Sequence, residues 1–435
     1  MIHHVNIEKI ITGGFGLARL ENGLIVLVPY VLPGETVLVR ETAQHRGYLE
    51  ALPVEIVAAS PDRISPPCPY FTLCGGCDFQ HINSSCQHSV KTEIIKESLK
   101  RANVVAEKTA FEAIIPSPQP YQYRFRIRLK VGQEGQIGFY QFGSNDLVPI
   151  TRCLLATDRI NQTLQELNAS GLFKKFAPDL SEIELMQSPS DNLIFVILHP
   201  YRNTNIAKSQ FETFAESLNT VNNILIKKGG KLQTLSGKAS SFILRQDFDN
   251  SICGRPFALS WSPGCFSQVN AQQNQGLIAL VCRQYMKVGG QKVLDLYCGM
   301  GNFSVPVGFG GAEVTGVEQN PESIRWAQFN ANKSGLDQCR FLVSDVGRYL
   351  HTRQKATARF DAVLVDPPRQ GLGKYIHPLT RLEPQSILYI SCDPATLARD
   401  LAAMTKKGYN LTSLTPVDMF PQTHHIESVV LLEKN

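Results

Sequence analysis

The sequence predicts three parts: a small OB-like β-barrel, an α+β central region bearing a cysteine group, and a C-terminal α/β domain with a Rossmann-like, doubly wound sheet. Three observations carry this. Short β-prone runs punctuated by Gly13-Gly14, Asn22-Gly23 and Pro33-Gly34 fill the first sixty residues. Cys68, Cys74 and Cys77 stand within ten residues, just after Ser65-Pro66-Pro67. From about Asn270, strand-like runs ending at Tyr297, Val317, Val343, Val365 and Ser391 alternate with helical spacers, the pattern of a parallel sheet. With 435 residues, 43% apolar and 19% charged, the chain has material for several cores and none of the bias of disorder.

In the first part Asn6–Ile11, Leu24–Val28 and Thr36–Arg40 read as strands, and Pro61 begins a linker. Barrels of this size often bind nucleic acid through one face. No apolar run approaches the ~20 residues of a membrane helix. The opening residues Met1–Lys9 lack a basic segment followed by an apolar one, so export is not expected and a cytoplasmic monomer is. Eleven cysteines then read as thiols, metal ligands or nucleophiles rather than disulfides.

The central part opens with Cys68, Cys74 and Cys77 as C-x5-C-G-G-C, a spacing that points to metal. Spacing alone admits zinc, and it makes Cys86 the nearest fourth ligand. A helix over Val90–Arg101 follows, then strands from Tyr121 to His199 broken by one helix near Ile160–Ser170. The net charge is +5, and the stretch Cys86–Lys130 alone has nine Lys/Arg against four Glu. Within it, Tyr123–Lys130 alternates strictly. A strand here puts Arg124, Arg126, Arg128 and Lys130 on one face, and Tyr123, Phe125, Ile127 and Leu129 on the other. Four like charges on one face call for solvent or for the phosphates of a polyanion, and phosphate contact is the expectation.

In the last part, ligand groups should sit at the carboxyl ends of the strands. The first strand turns through Gly299-Met300-Gly301-Asn302-Phe303-Ser304, which lacks the third glycine of a dinucleotide site. The second ends at Glu318, suited to ribose hydroxyls, and the third at Asp345, placed to meet an adenine edge. This is an adenosyl pocket that suits S-adenosylmethionine better than NAD. The fourth ends in Asp366-Pro367-Pro368-Arg369 and the fifth in Ser391-Cys392-Asp393-Pro394. If the final strand, from Glu427, pairs antiparallel to the fifth, Glu427 neighbours Cys392 and sets a base beside a nucleophile. His424 and His425 read as loop residues without a role.

Over essentially its full length the sequence resembles the RNA uracil-5-methyltransferase family, specifically its ribosomal-RNA branch with an N-terminal TRAM barrel and an iron–sulfur cluster. The resemblance rests on Phe266-Ser267-Gln268-Val269-Asn270, Asp366–Arg369, Ser391–Pro394 and His425-Ile426-Glu427. It implies S-adenosylmethionine contacts at Gln268, Tyr297, Asn302, Glu318, Asp345 and Asp366. It implies a [4Fe–4S] cluster on Cys68, Cys74, Cys77 and Cys153, choosing Cys153 over Cys86. The implied substrate is a uridine of 23S rRNA, with tRNA as the alternative.

The chemistry accounts for the residue types. C5 of uracil is a poor nucleophile until a thiolate adds at C6, and a base must later remove the C5 proton so that the thiolate can leave. Cys392 fits the first role and Glu427 the second. The target base must be swung out of folded RNA, and Phe266 either stacks on it or belongs to a core. No step needs an electron, so a structural or RNA-orienting role suits the cluster. An exocyclic-amine methyltransferase would need no such nucleophile, and a DNA cytosine-5 enzyme would carry it after the fourth strand. A non-catalytic iron–sulfur RNA-binding factor is the remaining rival. The expected boundaries are 1–60 for the barrel, 61–262 for the central domain and 263–435 for the methyltransferase domain, with residues 86–112 packing on the last.

Overall fold

The computed structural model describes residues 1–104, 110–201, 208–237, 242–353 and 359–435; part of the 86–112 segment, residues 105–109, lies outside them. The N-terminal unit is a six-stranded sheet in the order Ile2–Asn6, Thr36–His45, Tyr48–Ala58, Ile25–Val28, Gly16–Arg19, Lys9–Ile10. The expected single strand Asn6–Ile11 is two strands instead. At Ile7 and Glu8 the chain changes partner, Ile7 N donating to Glu35 O at 2.9 Å and Glu8 N to Leu17 O at 2.8 Å. One stretch thus supplies both edges of the sheet, which closes around Val5, Ala18, Val26, Val28, Val37 and Val39.

A helix, Ser84–Arg101, starts earlier than the sequence suggested because the Asn83 side chain caps it, accepting from Cys86 N. Ile95 and Leu99 on its inner face join the core of the C-terminal domain. The central sheet has seven strands, ordered Leu147–Pro149, Ile137–Tyr140, Arg126–Val131, Leu180–Gln187, Ile194–Pro200, Asn223–Lys228, Lys231–Gly237. A helix over Asp158–Ala169 covers one face with Ile160, Leu164 and Leu167.

The C-terminal sheet runs Arg340–Val343, Glu313–Glu318, Lys292–Leu296, Ala362–Val365, Ser386–Ser391, Glu427–Lys434, Tyr409–Val417, Ala110–Phe111. The first five strands are parallel neighbours. The order reverses between Lys292–Leu296 and Ala362–Val365, which opens the crevice where such folds bind ligands. Strand Tyr409–Val417 was not anticipated from sequence. Its polar alternation, Pro416 and a register shift at Leu411/Ser413 hide its character. Among the described residues no helix is long and apolar enough to cross a membrane.

Candidate active site

The decisive pairing lies at the carboxyl edge of the C-terminal sheet. Strand Glu427–Lys434 runs antiparallel to Ser386–Ser391, with Ser391 opposite Ser428. Continuing that register by one residue places Glu427 beside Cys392. The fifth strand stops there because Asp393 caps the next helix, Pro394–Thr405, accepting from Thr396 N at 2.8 Å with Pro394 in the first turn. Cys392 therefore sits on a fixed corner rather than a loose loop.

Electrostatics binds the same residues together. Burial, then Glu427 and Asp366, push the Cys392 thiol up to about 12, while Arg369 opposes the shift. Glu427 is buried and raised well above the usual carboxylate range, first by desolvation and then by Asp366. Asp366 is itself raised to about 7 by burial and by Asp295. The Cys392 and Glu427 shifts both oppose ionisation of the thiol and of the carboxyl in this corner. Arg369 Nη2 lies 3.4 Å from His425 Nε2, which accepts from it; burial and then nearby cations hold His425 down to about 3, so the ring is neutral. A cavity of about 150 Å³ opens on Cys392, lined also by Arg369, His424 and His425, and by Thr12 and Gly13 from the barrel.

Around the crevice, Glu318 and Asp345 both lie within electrostatic reach of Tyr297. Tyr297 takes φ of +63° as the chain turns off the first strand. Gly301 follows with φ of +89°, where a Cβ would meet Val305 at 3.2 Å, so the turn demands glycine. Asn302 and Asn274 exchange hydrogen bonds of 3.0 and 3.1 Å. Gln268 is buried next to Ser267, whose buried Oγ has no protein partner. An unpaired buried hydroxyl beside these groups fits a polar ligand in the crevice.

The cysteines form a second site. Cys68, Cys74, Cys77 and Cys153 all line one small pocket, closed by Tyr70, Phe71, Ile127 and Phe139. Cys86 does not. It packs among Ile10, Leu32, Phe79 and Ile94, and its thiol is raised to about 11 by burial and Asp62. Buried, unpartnered Arg124 Nε belongs to a residue of the same pocket, a cationic donor suited to an anionic cluster. Among the described residues no three His, Cys, Asp or Glu side chains converge on one ion position.

The basic strand differs from expectation. Tyr123, Phe125, Ile127 and Leu129 are buried as predicted. The opposite face, however, is met by carboxylates from strand Leu180–Gln187: Glu184 pairs with Arg126, and Glu182 with both Arg128 and Lys130. Cross-strand register puts Glu182 against Lys130 and Glu184 against Arg128, which neutralises the row within the sheet. Arg124 leaves the row altogether and turns to the cysteine pocket, stacking over Tyr123 and Phe420. Phe266 is 66% exposed, which removes the core reading. Sequence reasoning missed the His425–Arg369 contact and the ties that hold the loop before Glu427. The repeated His424-His425 beside the base motif was the available signal.

A family model described as tRNA (Uracil-5-)-methyltransferase matches residues 86–435, and a TRAM domain model matches residues 3–54. The chain belongs to the tRNA (uracil-5-)-methyltransferase family. Among curated relatives, the 23S rRNA (uracil(1939)-C(5))-methyltransferase RlmD of Shewanella frigidimarina is 33% identical, over 97% of this chain and 93% of its own length. That of Shewanella piezotolerans is 34% identical, over 99% and 95%. A solved structure, the Pyrococcus abyssi tRNA (uracil-54, C5)-methyltransferase in complex with S-adenosyl-L-homocysteine, matches with a TM-score of 0.74 at 23% identity, covering 98% of this chain and 100% of that one. The fold is thus that of a methyltransferase with an N-terminal TRAM domain.

Proposed function

We propose that the chain transfers a methyl group from S-adenosylmethionine to C5 of a uridine in RNA, with 23S rRNA as its substrate. The observation that carries the chemistry is the antiparallel pairing of Ser391 with Ser428, which sets Glu427 beside Cys392. The choice of rRNA follows the relatives named above, each similar over nearly its whole length.

S-adenosylmethionine, when bound, supplies an electrophilic methyl. Gln268, Tyr297, Asn302, Glu318, Asp345 and Asp366 hold it at the strand ends. The Cys392 sulfur adds to C6 of the flipped uracil, and the electron density gained at C5 takes the methyl. Glu427 then accepts the C5 proton and the C6–S bond breaks. Glu427 must be ionised for that step, which its burial and Asp366 oppose. Arg369 faces both groups and favours thiolate and carboxylate. Exposed Phe266 offers a stacking surface for the target or a neighbouring base.

Cys68, Cys74, Cys77 and Cys153 are assigned as ligands of a [4Fe–4S] cluster. That all four thiols line one small pocket supports a shared cluster. The cluster supplies no step here. RNA contact is proposed for Arg128, about half exposed, more readily than for Arg126 and Lys130. The testing experiment is methylation of 23S rRNA lacking the modification. Wild-type protein should form 5-methyluridine at one site, and Cys392→Ala none.

A further inference from the structure

The loop Asp418–Ile426 ends on Glu427, and the cysteine segment holds it from outside the C-terminal sheet. Asp78 directly follows Cys77. Its Oδ1 accepts from His424 N at 2.8 Å and its Oδ2 pairs with His424 Nδ1. The N–H groups of Asp78 and Phe79 both donate to Gln422 O, at 3.2 and 3.0 Å. Gly14 of the barrel closes over the pair. With φ of +81°, a Cβ there would lie 2.7 Å from Asp78 Oδ2 and 3.1 Å from His424 Cβ. From His424 the chain passes to His425, which touches Arg369, the cation facing Cys392 and Glu427.

We propose that Asp78 is a positioning residue for the base: by locking His424 it fixes Glu427 against Cys392, which makes the cysteine segment a brace for the proton-removal step. The inference rests on the roles proposed above for Cys392 and Glu427. Loops are the mobile parts of a fold, and charge-assisted pairs that are partly buried are among the contacts able to fix one. A displacement of about 1 Å at a reacting group can cost roughly 100-fold in rate.

The reaction has two separable halves. First the Cys392–C6 bond forms and C5 gains the methyl; then C5 loses its proton to Glu427 and the C6–S bond breaks. A fault in base position slows only the second half. Asp78→Asn keeps the shape and the Oδ1 acceptor while losing the charge that holds His424. It should retain wild-type iron content and RNA affinity, lower turnover about tenfold, and accumulate protein covalently joined to methylated RNA. His424→Gln breaks the same contact from the other side, away from the cysteines, and should give the same adduct even if Asp78→Asn fails to fold. Adduct-free turnover at the wild-type rate in His424→Gln overturns the inference, and so does loss of both halves together in folded protein. Glu427→Gln serves as control. If it accumulates no adduct, the role given to Glu427 falls and the inference falls with it. If it does and His424→Gln does not, only the positioning role fails.

Discussion

Two groups of thiols in this protein share one property and differ in what surrounds it. Burial raises Cys74 to about 11 and Cys77 to about 12, and it raises Cys392 to about 12 as well. In the first site the next contributions are hydrogen bonds that lower the thiols, the charges of the other cysteines, which raise them, and Arg124 in opposition. In the second they are the carboxylates of Glu427, Asp366 and Asp393, with Arg369 in opposition. Burial is the first obstacle to ionisation at both sites, and at the second the proposed base adds to it. The proposed cluster would relieve the first site permanently, since ligating thiols are deprotonated outright. On the proposed roles, one environment makes a fixture and the other a nucleophile beside its base.

The largest expected effect that would break this comparison is on iron. Anaerobically purified protein should be brown, and Cys153→Ala should lose most of its iron while Cys86→Ala keeps nearly all. Iron assay and visible absorbance check both, and the reverse pattern would return the fourth ligand to Cys86. Next is the anchoring of the base loop. Lys91 is fully buried and donates to Asp418 at 2.6 Å and to Phe420 O at 3.1 Å. Lys91→Ala should therefore destabilise the protein by up to about 3 kcal/mol, read from urea unfolding, because buried Asp418 keeps only His88 Nε2, at 3.2 Å, as a side-chain partner.

A smaller effect sharpens the account of Cys392. With its thiol raised to about 12, its alkylation by iodoacetamide should climb about tenfold per pH unit, with no plateau below pH 10. Glu427→Gln removes a negative neighbour, lowers the thiol toward its ordinary value and should speed alkylation at pH 8. Arg369→Gln removes the opposing cation and should slow it. The smallest effect concerns the basic strand. Arg128→Gln should weaken RNA binding slightly and reduce the salt slope by less than about 1, since Glu182 already engages that guanidinium.

These contrasts also mark what the sequence could disclose. Glu318 and Asp345 at or just beyond strand ends, and Cys392 beside Glu427, were legible because parallel sheets put ligand groups at carboxyl edges and the last strand's pairing follows from its place in the order. The brace on the base loop was not, because Asp78 and His424 are 346 residues apart and no periodicity links them. The basic strand misled for a related reason: alternation gives the face of each residue, while Glu182 and Glu184 arrive from another strand whose register the sequence does not state. Arg124 is the extreme case. Its alternation matches its neighbours, yet it lies outside the regular strand, bridged to Ala156 and Asn270, and turns to the thiols.

The central claim is that Cys392 attacks C6 and Glu427 later takes the C5 proton. Its most direct test is RNA carrying 5-fluorouridine at the target position, incubated with S-adenosylmethionine and resolved under denaturing conditions. Fluorine cannot leave as a proton does, so wild-type protein should be trapped as a covalent complex with methylated RNA, and Cys392→Ala should form none. A denaturant-resistant complex that persists in Cys392→Ala would contradict the account.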